Sequence, residues 1–160
     1  MGASTGGFTD VLLRRGARLI YAVDVGTRQL HDTLRRREEL VVMENTDIRT
    51  LSSDQLPERP ELVVADVSFI SLKLILPAIA SLAAPHAVLI ALIKPQFEAG
   101  RKAVAKGVVR DAATHAAVCA DMAAAVQDLG WTVRGVIDSP IEGGDGNREF
   151  LLCAERGHGS

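Results

Sequence analysis

Three charged residues mark the ends of apolar runs. Asp66 closes Leu62-Val63-Val64-Ala65, Lys94 closes Ala87 to Ile93, and Glu149 opens the run that reaches Ala154. A lysine at the end of so apolar a run must reach water or find a partner, because burying a lone ammonium is costly. Asp66 is its natural partner. Two carboxylates and one ammonium converging at an edge can orient a hydroxyl and hold a developing oxyanion, although structural ion pairs make the same pattern. A second set is glycine-rich: Gly2-Ala3-Ser4-Thr5-Gly6-Gly7 reads as a turn opening a helix. Without a Cβ at Gly2, Gly6 and Gly7, a ligand can approach the backbone. The turn lacks the Lys of a phosphate-binding loop and the spacing of a dinucleotide fingerprint, which argues against a nucleoside triphosphatase and weakly against a nicotinamide enzyme. Asp24 follows a strand-like run, where a carboxylate can accept from both hydroxyls of a ribose. Asp47, in Asn45-Thr46-Asp47, reads equally as an acceptor for an adenine amino group and as a turn aspartate.

A basic segment follows Lys94. Arg101, Lys102, Lys106 and Arg110 lie between Glu98 and Asp111, with Gly100 and Gly107 among them. A mobile cationic flap beside a polar edge suits contact with a phosphodiester backbone. Aromatic residues make up only 4%, which excludes a broad stacking face and leaves Phe69 and Phe97 as local exceptions. The four histidines are scattered without ligand spacing, and Cys119 and Cys153 read as packed residues, so we expect no metal and no disulfide framework. Ser68 and Ser71 lack the setting of an activated nucleophile.

These residues need a scaffold, and two periodicities alternate to supply it. Strands are expected over 19–23, 40–43, 62–65, 87–93, 131–137 and 149–154. Their near-continuous apolar runs point to strands covered on both faces. Helices are expected over 8–15 and 29–36, after Ser71 with a bend or late start at Pro77, and over 112–129. The last has Asp111 as N-cap, Gly130 as stop, and a core stripe of Val118, Met122, Val126 and Leu129. The alternation predicts an α/β domain with a mostly parallel sheet. The last two strands have no helix between them, so they form an antiparallel hairpin around a long loop, 139–147. The glycine turn normally follows a strand, and none precedes it here.

The sequence has 160 residues, 48% of them apolar and 24% charged, with a formal net charge of −2. That fits one domain with one core and excludes a strongly basic nucleic-acid tail. The apolar stretches 74–84 and 87–93 are too short to span a bilayer, and no secretory signal is visible; a cytoplasmic protein is expected.

Six segments together resemble the TlyA family of FtsJ/RrmJ-like methyltransferases, whose members often carry a haemolysin label. They are 2–10, 21–26, 66–72, 92–98, 107–111 and 146–151, in the family's order and spacing. The resemblance implies a class I methyltransferase (Rossmann-like) with strand order 3-2-1-4-5-7-6, S-adenosyl-L-methionine as cofactor, and 2′-O-methylation of ribosomal RNA. It assigns the cofactor to Gly2, Ala3, Ser4, Gly6, Gly7, Asp24, Val25, Asp47 and Asp66. It assigns catalysis to Asp66, Lys94 and Glu149, three members of a Lys-Asp-Lys-Glu group. The remaining lysine belongs upstream of the glycine turn, as do the first strand and an S4-like RNA-binding domain. We therefore expect residues 1–160 to be the methyltransferase domain of a truncated or misstarted member. The alternatives are a non-catalytic RNA- or cofactor-binding protein of the same fold, and a haemolysin, for which no amphipathic cationic helix is visible.

Overall fold

The computed structural model describes residues 1–4, 6–100, 104 and 106–157. Six strands are present: β1 (Ile20–Val23), β2 (Leu40–Met43), β3 (Leu62–Ala65), β4 (Ala87–Ile93), β5 (Thr132–Asp138) and β6 (Phe150–Arg156). Five helices accompany them: α1 (Gly7–Arg14), α2 (Asp32–Arg35), α3 (Leu76–Leu82), α4 (Pro95–Glu98) and α5 (Ala112–Asp128). The expected alternation is there, with several boundaries moved for local reasons. Pro77 sits in the first turn of α3, where its absent N–H costs nothing, and a separate 3₁₀ turn over Leu72–Leu74 precedes it. The predicted helix over 29–36 shrinks to the single turn of α2. Glu44 explains this: its carboxylate accepts from the backbone N–H of Arg28 and Gln29 and pairs with Arg35, which holds the chain before α2 out of the helix.

Helix α5 has both predicted stops. The Asp111 side chain accepts from Thr114 N at 2.8 Å and Thr114 Oγ1 at 2.7 Å. At the other end Gly130 is left-handed (φ 83°), Gly130 N donates to Gln127 O and Trp131 N to Val126 O, the two bonds of a Schellman motif. Val118, Met122 and Val126 are buried as predicted, whereas Leu129 is half-buried and His115 takes a place in the stripe.

The sheet comes in two pieces. β1 and β2 pair in parallel, Ile20 opposite Leu40. The second piece has the order β3-β4-β6-β5, with β3 and β4 parallel (Val63 opposite Leu89) and the β4-β6 and β6-β5 pairs antiparallel. The terminal hairpin is thus as expected. Among the described residues, the backbone hydrogen bonds between the pieces run through Met1–Ala3: Met1 N donates to Val64 O at 3.0 Å, Asp66 N to Met1 O at 3.1 Å, and Ala3 N to Val23 O at 3.3 Å. Below this bridge a cleft of about 470 Å³ separates β1 from β3, lined by Ile20, Ala22, Leu56, Val63 and Ile79. Arg18 spans it with a two-bond pair to Glu58 (3.1 and 2.6 Å), beside Tyr21, whose hydroxyl bonds the Glu58 backbone.

The main core lies between β3, β4, β6 and the helices α3 and α5, around Leu72, Leu76, Ile79, Leu89, Ile93, Met122 and Leu152. A smaller one, Ile20, Ala22, Leu30 and Leu40, packs against Leu12, Leu13 and Leu34. Coverage on both faces is not what β4 shows. Ala87, Leu89, Ala91 and Ile93 are buried under α3 and α5, while Val88, Ile90 and Leu92 on the opposite face are half-buried. An all-apolar run records only that neither face is polar.

Candidate functional site

Pro95 ends β4 and starts α4, so Lys94 stands at the carboxyl edge of the sheet. Its Nζ lies 2.6 Å from Asp66 Oδ1 and donates to Ser68 Oγ at 2.9 Å, with the lysine side chain 12% exposed. Asp66 Oδ1 accepts no directed hydrogen bond among the described residues, so the pair is a charge contact and the ammonium's directed bond goes to Ser68. The antiparallel register, with Ile93 opposite Phe150, brings Glu149 to the position facing Lys94. Glu149 is 6% exposed, and its Oε1 accepts from Gln96 Nε2 at 3.0 Å. Gly143 closes over that carboxylate, where an added Cβ would lie 2.0 Å from Oε1. Asp66 and Lys94 are in contact, and the fold sets Glu149 beside them.

Ser68 and Gln96 were not singled out from the sequence as partners of this group. Each stands two residues past a charged strand end, Ser68 in the loop after β3 and Gln96 in the first turn of α4. Glu98 was likewise missed: it accepts from Ser71 Oγ at 2.6 Å and Leu72 N at 2.7 Å, which ties the loop after β3 to α4. Phe69, on that loop, is left-handed (φ 65°) and 91% exposed, and its ring lies 5.0 Å from that of Phe97.

The glycine turn meets the same edge. Gly2 (φ 63°) cannot carry a side chain, because its Cβ would fall 1.8 Å from the Asp66 carbonyl oxygen. At Gly6 (φ 107°) a Cβ would strike Leu34 and Leu30, whereas Gly7 faces open space. Thr5 lies outside the described residues. Asp24 ends β1, its Oδ2 accepting from Ser4 N and its Oδ1 from Gly26 N, both at 2.8 Å. Ala3 packs into the smaller core, and Val25, next to Asp24, is 71% exposed. Asp47 takes part in a turn. It caps the 3₁₀ turn through Arg49 N and holds the Arg49 guanidinium, which lowers its pKa to about 2. Glu44 is likewise lowered to about 2, by Arg35 first and then by the Arg28 N–H.

Lys106 and Arg110 are exposed and flank the buried Val108 and Val109; Arg101 and Lys102 lie outside the described residues. The cleft between β1 and β3 is lined by none of Asp24, Asp66, Lys94 and Glu149. The chemistry sits at the strand ends, where ligands of open α/β sheets bind.

Known proteins resemble this chain along almost its whole length. A candidate rRNA methyltransferase of Bacillus subtilis, YqxC, is 51% identical over 154 residues, covering 95% of this chain and 55% of that protein. The 16S/23S rRNA (cytidine-2′-O)-methyltransferase TlyA of Mycobacterium tuberculosis is 47% identical over 152 residues, covering 94% and 57%. The chain thus spans little more than half the length of these relatives. A solved structure of a candidate haemolysin from Streptococcus thermophilus superposes with a TM-score of 0.96 at 46% identity, covering 99% of this chain and 58% of that one. At 15% identity, the N-methyltransferase NodS of Bradyrhizobium japonicum, solved with S-adenosyl-L-homocysteine, gives a TM-score of 0.66 over 97% of this chain and 74% of its own. The fold is that of class I S-adenosylmethionine-dependent methyltransferases. The model of the FtsJ-like methyltransferases matches residues 1–156, and the chain belongs to that family.

Proposed function

We propose that these residues form the catalytic domain of an S-adenosyl-L-methionine-dependent enzyme that methylates ribose 2′-hydroxyls of ribosomal RNA in the cytoplasm. The Lys94–Asp66–Ser68 contact at the carboxyl edge, with Glu149 in the facing register, carries the reading. The cofactor fits the residues present. Asp24 is fixed by two backbone N–H groups yet keeps lone pairs for ribose hydroxyls, Val25 offers an exposed apolar surface, and Gly7 leaves its backbone open. When bound, S-adenosylmethionine supplies the electrophilic methyl group. A ribose hydroxyl is a poor nucleophile, so the protein's part is alignment and charge. Asp66 and Ser68 hold the Lys94 ammonium in one place, from which it stabilises negative charge growing on the 2′-oxygen. Gln96 and Gly143 fix Glu149 as the second acceptor of the group. The exposed ring of Phe69, backed by Phe97, offers the target nucleotide a stacking surface. Lys106, Arg110 and, by sequence, Arg101 and Lys102 supply cations for neighbouring phosphates. The ribosomal RNA target named for the Mycobacterium relative supports ribosomal RNA as the substrate.

A second reading, a cofactor- or RNA-binding protein without turnover, is favoured by the break between β1 and β3. A haemolytic role has less support: among the described residues no helix is long and apolar enough to cross a membrane. Calorimetric titration of the 160-residue chain with S-adenosylhomocysteine tests the cofactor half; saturable binding that Asp24→Ala abolishes is expected. A folded chain that does not bind would overturn the reading. Transfer of labelled methyl groups to ribosomal RNA, abolished by Lys94→Ala, separates enzyme from binder.

A further inference from the structure

Two segments of this chain meet in a way that the proposed chemistry does not use. Asn147 is 3% exposed. Its Oδ1 accepts from Val109 N at 3.1 Å, and its Nδ2 donates to Gly107 O and to Gly144 O, both at 2.9 Å. The Asn147 carbonyl also accepts from Gly143 N at 2.8 Å, closing the turn that packs over Glu149. Val109 is gripped from its other side as well, since His115 Nε2 lies 3.0 Å from its carbonyl oxygen. A carbonyl only accepts, so that nitrogen carries the ring proton. One carboxamide thus ties the chain between Lys106 and Arg110 to the loop that places Glu149.

We infer that Asn147 is a positioning residue for RNA: it holds the Lys106–Arg110 segment against the catalytic edge, so that phosphate-binding cations and Glu149 present one surface. The inference rests on the RNA reading above. Only a carboxamide fits the role, because the position must accept once and donate twice. An aspartate would set a charge against two carbonyls, and an alanine would leave the buried Val109 N without its partner and take one donor from each of the two carbonyls. Without the tie, Lys106 and Arg110 would still be present but would no longer be held toward the substrate.

The test combines hydrogen exchange with the salt dependence of RNA binding. In Asn147→Ala the Val109 amide should exchange at least tenfold faster than in the parent chain. The affinity for ribosomal RNA at low salt should fall about tenfold, and the slope of log Kd against log salt should flatten by about 1 to 2, the share of two phosphate contacts. S-adenosylhomocysteine binding should not change. Lys106→Ala/Arg110→Ala, at exposed positions, should flatten the slope to the same degree, and adding Asn147→Ala to it should do nothing further. A purely structural Asn147 would give additive losses instead, and that result overturns the inference. Asn147→Ser, which keeps one hydroxyl partner, serves if the alanine variant does not fold, with a loss of three- to fivefold expected. If Lys106→Ala/Arg110→Ala leaves RNA binding and its salt slope unchanged, the RNA role of the segment fails. Rapid exchange at Val109 in Asn147→Ala would then show the tie itself to be real but unconnected with RNA.

Discussion

Gly143→Ala moves one functional group without altering its chemistry. Gly143 has φ −78°, which alanine adopts freely, so the substitution carries no backbone strain. Its whole effect is steric: the new methyl would lie 2.0 Å from Glu149 Oε1 and 2.5 Å from Cδ. The carboxylate must retreat by about 1.4 Å to restore ordinary contact, and a displacement of about 1 Å or more at a reacting centre costs about a hundredfold in rate. The retreat also breaks the 3.0 Å bond from Gln96, a loss of about 1.5–3 kcal/mol for a hydrogen bond to a charged group. At about 2–4 °C per kcal/mol for a chain of this size, melting should fall by roughly 3–12 °C. Asp24 and the glycine turn lie on other loops, so S-adenosylhomocysteine affinity should hold. The assay is methyl transfer to ribosomal RNA, run beside thermal melting and cofactor titration. Undiminished transfer, with a structure of the variant showing Glu149 displaced, would refute the claim that its position matters.

Gly2→Ala should do more damage than its size implies. The Asp66 carbonyl stands 1.8 Å from the added Cβ and φ is 63°, so the Met1–Ala3 bridge must open; calorimetry should show S-adenosylhomocysteine binding at least tenfold weaker. Arg156 donates to the carbonyls of Ala80, Ala83 and Ala84, and its guanidinium lies 4.8 Å from the Trp131 ring centroid. Arg156→Ala should cost about 3 kcal/mol in denaturant unfolding, and Arg156→Lys should recover less than half, because an ammonium cannot serve three carbonyls as a planar fork does. Burial of the Met1 amine lowers its pKa from 8.0 to about 6, against the opposing pull of Asp24 and Asp66. Between these values the unfolded chain holds more protons, so stability rises as pH goes from 6 to 8, by about 2 kcal/mol. Urea unfolding across that range checks it, and N-terminal acetylation should remove this contribution.

Strand positions were legible because all six apolar runs are short and bounded by charge, glycine or proline. Asp66, Lys94 and Glu149 were legible for the same reason, as charges where an apolar run stops. Asp111 and Gly130 announced their helix ends through conformations that few other residues favour. Asn147 gave no such signal: its three partners come from two loops, one of them forty residues upstream, and only the closed turn brings them within reach. The α2 boundary failed because Glu44, on the far side of β2, competes for the backbone of Arg28 and Gln29. The Arg49 pairing of Asp47 could not be read from sequence, since an aspartate that caps a turn and one that meets a ligand look alike there.

The two-piece sheet has a consequence for how the molecule comes apart. One face of β1 and β2 has a small core of its own, while Tyr21, Val23 and Met43 pack into the large core of β3 to β6, and three backbone hydrogen bonds at Met1 to Ala3 join the strands across the gap. With fewer strands and a smaller core of its own, the β1–β2 piece should open at lower free energy than the larger one. Asp24 belongs to the weaker unit and Lys94 to the stronger. A ligand held by Asp24 therefore stabilises the part that opens first, so its binding registers as slower local exchange in β1 before it raises the temperature at which the catalytic half melts.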